Sequence, residues 1–106
     1  MTKLLPKEEA EKIPKLYAQE KKGEEAIAYV KFFDPCSSWT WFATELDGSN
    51  IFFGLVVGHE TEFGYFSLRE LESYRGPLDI GIERDLHFTP VSLKELRAQN
   101  SHLHFH

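Results

Sequence analysis

Both tryptophans of the chain fall in one short stretch, SSWTWFATELDG, residues 37–48. Trp39 and Trp41 are two positions apart, and Glu45 stands four past Trp41. In an extended strand Trp39, Trp41, Ala43 and Glu45 share one face, and Thr40, Phe42, Thr44 and Leu46 share the other. Two indoles beside a carboxylate make a platform able to stack a base, a sugar or an arginine. The plainer reading is that large aromatics fill a small core.

Other stretches carry charged groups in suggestive order. His59-Glu60-Thr61-Glu62 begins like the zinc-protease motif H-E-x-x-H, but Phe63 stands where the second histidine belongs. A metalloprotease is therefore not supported, and a solvated strand edge with Glu60 and Glu62 on one side is the simpler meaning. Glu83-Arg84-Asp85 packs two acids around a base. Paired carboxylates do acid–base work only when their surroundings separate their pKa values, and an arginine between them points as readily to a structural ion pair. At the tail, His102, His104 and His106 alternate. They would line one side of an extended chain and are weak candidates for a transition-metal site. No phosphate loop, nucleophile elbow or CxxC pair occurs, and no cofactor is expected.

Composition narrows the setting. The chain has 106 residues, 42% of them hydrophobic, which suffices for one domain with a core that needs no staples. The single cysteine, Cys36, excludes an intrachain disulfide and a cysteine zinc cage. A formal net charge of −5 argues against general nucleic-acid binding and suits a protein partner with a basic surface. The N-terminus MTKLLPKEEAEK lacks the apolar run of a signal peptide, and no stretch reaches membrane-spanning length, so a cytoplasmic protein without membrane contact is expected.

The elements that must position these groups follow from periodicity and punctuation. Residues 3–22 are charged and helix-prone, with Pro6 at a helix start and Pro14 ending the helix near Lys12; a short turn over 15–20 follows. Leu5, Ile13, Leu16 and Tyr17 are expected on one face. Residues 26–33 read as a strand stopped by Asp34-Pro35. WTWFATEL and IFFGLVV flank an Asp-Gly turn and read as a hairpin, the second strand apolar on both faces and therefore central. Gly54 interrupts it, as though to let a bulky neighbour, one of the tryptophans, pack close. A further strand covers TEFGYFS.

Ser67-Leu68-Arg69-Glu70 and Ser92-Leu93-Lys94-Glu95 are capping boxes, each opening a short helix after a strand. Between them Arg75-Gly76-Pro77 stops the first helix, and one or two strand pieces around Ile80, Ile82 and Phe88 follow. The architecture expected is α+β: a mostly antiparallel sheet of four or five strands, an N-terminal helical segment and two short capped helices. Residues 1–98 would form one domain, with 99–106 a His-containing tail.

The runs VKFFDPCSSWTWFATELDG, FFGLVVGHETEFGYFSLRELES and RGPLDIGIERDLHFTP, in that order, resemble a family of small bacterial proteins described as a domain of unknown function, DUF twenty-nine fifty-eight. The resemblance implies an association with plasmids, phages and integrative elements. It carries over no activity, cofactor or catalytic set. Trp39, Trp41, Glu45, Glu60, Glu83, Arg84 and Asp85 match the family, whereas Cys36 and His59 depart from it.

The expected function is that of a non-enzymatic accessory protein of a mobile element, binding a host defence or DNA-processing protein. Its candidate face comprises Trp39, Trp41, Glu45, Glu60, Glu62, Glu83, Arg84 and Asp85. The alternative is a hydrolase or nucleic-acid processing enzyme with a divalent metal on Glu45, Glu60, Glu83 and Asp85, which requires three of the four in one cleft. A third class is a structural or assembly module, a homodimer through a sheet edge.

Overall fold

Ala26–Phe33 does not run as one strand. In the computed structural model, which describes residues 2–99, the stretch breaks at Tyr29 into β1 (Ile27–Ala28) and β2 (Val30–Phe33). The main sheet continues through β3 (Thr40–Leu46), β4 (Ile51–Val57) and β5 (Thr61–Ser67), and ends in the two-residue β6 (Glu83–Arg84). Its order is β5-β4-β3-β2-β6, every pairing antiparallel. β1 leaves this sheet and pairs instead with β7 (Val91–Ser92), which follows Pro90. The fold is α+β, with a five-stranded and a two-stranded antiparallel sheet.

Both faces of the main sheet are covered, which explains why β4 is apolar in both alternating sets. On the first face Val30, Phe32, Ala43 and Phe52 meet Leu68 and Leu71 of α2 (Leu68–Ser73) and Leu5, Ala10 and Ile13 of the N-terminal segment. On the second, Phe42 and Leu55 meet Ala28 of β1 and Leu93 and Leu96 of α3 (Leu93–Gln99). Both later helices carry the serine half of the capping box expected for them. The Glu70 N–H donates to Ser67 Oγ at 3.2 Å, and the Glu95 N–H donates to Ser92 Oγ at 3.0 Å.

The N-terminal segment is less helical than its composition suggests. Only α1 (Lys7–Ala10) is α-helical; a 3-10 stretch, Glu20–Glu25, follows after turns. Leu5 and Ile13 are buried as expected, but Tyr17 is 63% exposed and has a positive φ of 72°, so it does not share their face. Pro14 ends the helical pattern, and its carbonyl accepts from the Leu46 N–H at 2.9 Å, which ties the segment to β3.

Candidate functional site: the two aromatic clefts

The alternation that would place Glu45 beside the tryptophans fails inside β3. Trp41 pairs with Val56, Phe42 with Leu55 and Ala43 with Gly54; the next pair is Glu45 with Phe53. Thr44 is thus an extra residue, a β-bulge, and everything after it turns over. Trp41 and Ala43 lie on the first face. Glu45 lies on the second, with Phe53 and Tyr65.

The bulge itself is well held. Thr44 Oγ1 donates to the Phe53 carbonyl at 3.0 Å, and the Thr44 carbonyl accepts from Gln19 Nε2 at 2.8 Å. Gln19 also spans Ile27, donating to its carbonyl at 2.9 Å and accepting from its N–H at 2.6 Å. Glu45 is only 3% exposed. Its Oε1 accepts from the Tyr17 N–H at 2.8 Å and its Oε2 from the Gln19 N–H at 2.7 Å. Composition alone gave no sign of Gln19 as a site-building residue; a buried amide that bridges three backbone groups becomes visible only when the chain returns over the bulge.

On the first face the row Arg84–Phe32–Trp41–Val56–Glu62 crosses all five strands. The indoles of Trp39 and Trp41 lie 5.9 Å apart at an interplanar angle of 31°. Both are half-buried, and Trp41 packs against the first core cluster. Trp39 sits over Gly58, where a Cβ would strike its ring, and meets the edge of His59 at 5.5 Å. The glycine that accommodates a tryptophan is therefore Gly58 and not Gly54. A Cβ on Gly54 would meet the Phe42 carbonyl, so close approach of backbones explains that position.

The pair forms one wall of a cleft of about 300 Å³, completed by Phe66, Tyr74 at the end of α2, Asp34 and Glu70. Two carboxylates and no cationic side chain line it. Asp34, 6% exposed, holds the turn before Trp39: its carboxylate accepts from the Cys36 N–H and the Ser37 hydroxyl, both at 2.9 Å. Cys36 is exposed in that turn.

The remaining candidates are dispersed. Glu60 is exposed in the β4–β5 turn, and its carbonyl accepts from the Gly58 N–H. Glu62 lies on β5, on the tryptophan face. Glu83 and Asp85 lie at the opposite edge. Glu83 pairs with Phe33 on the second face, and Asp85 forms an ion pair with Lys31 at 3.6 Å. Arg84 turns away from both acids, its Nε donating to the Leu4 carbonyl at 3.1 Å. The compact face expected from Trp39, Trp41, Glu45, Glu60, Glu62, Glu83, Arg84 and Asp85 is thus divided by the sheet. Trp39, Trp41, Glu62 and Arg84 keep one side, and Glu45, Glu83 and Asp85 take the other.

The carboxylates required for a divalent metal do not converge. β6 and the β4–β5 turn lie at opposite edges of the sheet, and both oxygens of Glu45 already accept backbone N–H groups. No group of three or more His, Cys, Asp or Glu among the described residues is placed to hold a metal ion. His102, His104 and His106 lie outside the described residues. Another concavity, about 530 Å³, balances Lys3, Arg75 and Arg84 against Glu72, Asp79 and Glu83, so it has little net preference for either charge.

A second cleft, about 360 Å³, opens on the other face between the N-terminal segment and the aromatics Phe53 of β4 and Phe63 and Tyr65 of β5. The Phe53 ring stands between Phe63 at 6.1 Å and Tyr65 at 5.1 Å. The Tyr65 hydroxyl is held above its ordinary value, first by its hydrogen bond with Tyr17, then by burial and by the charges of Tyr17, Glu45 and Glu20. No residue of this cleft except Glu45 stood out in the sequence.

An antiparallel α+β sheet with an aromatic cleft on each face defines the class. Within it, the chain belongs to the family described as "Protein of unknown function (DUF2958)", whose model matches residues 4–99. No curated protein and no solved structure matches the chain. No helix among the described residues is long and apolar enough to cross a membrane.

Proposed function

We propose that the protein acts by binding, without chemistry of its own, and that its Trp39/Trp41 cleft takes a basic side chain presented by a protein partner. The observation that carries this reading is the pairing of two half-buried indoles with Asp34 and Glu70 in one concavity lacking a cation. Aromatic faces attract a desolvated guanidinium or ammonium, and the carboxylates supply the opposite charge. Glu62 stands on the same sheet face, two strands from Trp41. In this proposal the protein is a cytoplasmic accessory factor of a plasmid, phage or integrative element. Its partner is a host defence or DNA-processing protein with a basic surface.

The test is a titration of the full chain with a short arginine-containing peptide and with the same peptide carrying citrulline, read by tryptophan fluorescence. The arginine peptide should shift the emission and lose affinity as salt rises. Trp39→Ala and Glu70→Gln should each weaken binding about fivefold. Equal binding of the citrulline peptide, or no saturable response to either, overturns the reading.

A further inference from the structure

We propose that the second cleft, on the opposite face from the tryptophans, is a binding site for a small alkylated ammonium ion of the trimethylammonium type. The site is independent of the protein-binding face. Its walls are the rings of Tyr17, Phe53, Phe63 and Tyr65, and its acidic groups are Glu45 and Glu20.

Three observations point to this ligand class. The first is charge. Glu45 is buried, and no lysine or arginine among the described residues forms an ion pair with it or with Glu20. A buried carboxylate held only by neutral N–H donors leaves a negative potential in the cavity beside it.

The second is the state of the polar lining groups. The Glu45 oxygens accept from Tyr17 and Gln19, the Gln19 amide is taken up by Ile27 and Thr44, and Thr44 Oγ1 bonds to Phe53. The Tyr17 side chain is close enough to that of Tyr65 to raise the Tyr65 pKa. A guanidinium or primary ammonium needs several convergent acceptors for its N–H groups; here both Glu45 oxygens already accept a backbone N–H, and among the described residues Glu20 is the one lining carboxylate without a bond. An alkylated ammonium needs only charge and aromatic faces, which are what the cleft presents.

The third is the backbone. Tyr17 adopts φ 72°, in the left-handed region that a bulky residue rarely enters, and it is held there by the bond from its N–H to Glu45. That strain leaves Tyr17 on the cleft that Tyr65 also lines, and both are largely exposed, at 63% and 56%. Two tyrosines kept at the mouth of an acidic cavity serve a ligand better than they serve the core.

The test is calorimetric titration of the full chain with choline, with its neutral isostere in which carbon replaces the nitrogen, and with ethylguanidinium. Chemical shifts of the tyrosine and phenylalanine rings locate the site. Choline should bind about tenfold tighter than the isostere and perturb the Tyr17, Phe63 and Tyr65 rings. Tyr65→Ala, a change at an exposed side chain, should weaken choline about fivefold, and Glu20→Gln about threefold. Trp39→Ala should leave choline binding unchanged. Equal affinity for the isostere would make the cleft merely apolar and overturn the proposal. So would tighter binding of ethylguanidinium, or the absence of saturable choline binding in a protein whose melting temperature is intact.

Discussion

Trp41 and Glu45 lie four residues apart on one strand and emerge from opposite faces of the sheet. The cause is Thr44, the extra residue of the bulge. One consequence is that the two aromatic clefts, each with its own carboxylates, are back to back and share β3. Another is that Glu45 serves as a buried clamp on the N-terminal segment, joining β3 to Tyr17 and Gln19.

Glu45→Gln should therefore destabilise the fold although the change is nearly isosteric. One of the two oxygens becomes an NH2 group facing a backbone N–H, so a buried donor loses its acceptor. The expected cost is about 2 kcal/mol, with Glu45→Ala costing about 3 kcal/mol. Urea unfolding reads this as a lower midpoint at unchanged slope. A midpoint equal to that of the parent would show that the clamp contributes nothing.

The tryptophans should differ. Trp41 packs against the first core cluster, whereas Trp39 rests on Gly58 and His59. Trp41→Ala should cost about 2–3 kcal/mol and Trp39→Ala about 1 kcal/mol, both less than a fully buried indole. In acrylamide quenching, the tryptophan that remains in Trp41→Ala should be the more accessible. The reverse order would mean that Trp39 is the better buried of the two.

Two glycines that face each other across β4 and β5, Gly54 and Gly64, should respond in opposite ways. A methyl group at Gly54 collides with the Phe42 carbonyl, and backbone cannot yield as a flexible side chain can. Gly54→Ala should cost about 3 kcal/mol or leave the chain unfolded. At Gly64 nothing stands within 4 Å of the added carbon, and Gly64→Ala should change stability by less than about 1 kcal/mol. Thermal melting of the two variants checks the pair.

Asp47 in the β3–β4 turn adds a pH dependence. Its carboxyl is held below the ordinary value of 3.8, chiefly by the Asn50 N–H and then by the Ser49 N–H, with Ile51 contributing. Because the folded value is the lower one, the stabilisation is complete above the unfolded value. It declines as the pH falls below that value and is gone beneath the folded one. The side chain is exposed and screened, so the effect is below about 1 kcal/mol. The stability gap between the parent chain and Asp47→Asn should be largest near neutral pH and close on acidification below about 4. A gap that stays constant through that range would show that the turn does not depend on the charge.

Much of the fold is legible locally. IFFGLVV reads as a strand buried on both sides because both alternating sets are apolar, and Phe52 and Leu55 duly enter separate cores. The serine caps at Ser67 and Ser92 are equally plain, since a cap is made within four residues of chain. The Asp-Gly turn closes the hairpin as its residues indicate, with Gly48 at φ 109°. The departures from local pattern depend on partners distant in sequence. The break at Tyr29 arises because β1 is drawn to β7, more than sixty residues later. Glu83-Arg84-Asp85 looked like a self-contained ion cluster, yet Asp85 pairs with Lys31 and Arg84 with the Leu4 carbonyl.

By itself the sequence determined the hairpin and the strand after it, the two serine-capped helices, the antiparallel α+β class, the family and the prominence of Trp39 and Trp41. These follow from side-chain periodicity, turn chemistry and motif order, all of which are written along the chain. Only the tertiary structure decided which acid stands beside which aromatic ring. A single extra residue in β3 reverses every side chain beyond it, and strand periodicity cannot register that bulge. Its cause lies in the Gln19 and Glu45 bonds between segments far apart in sequence.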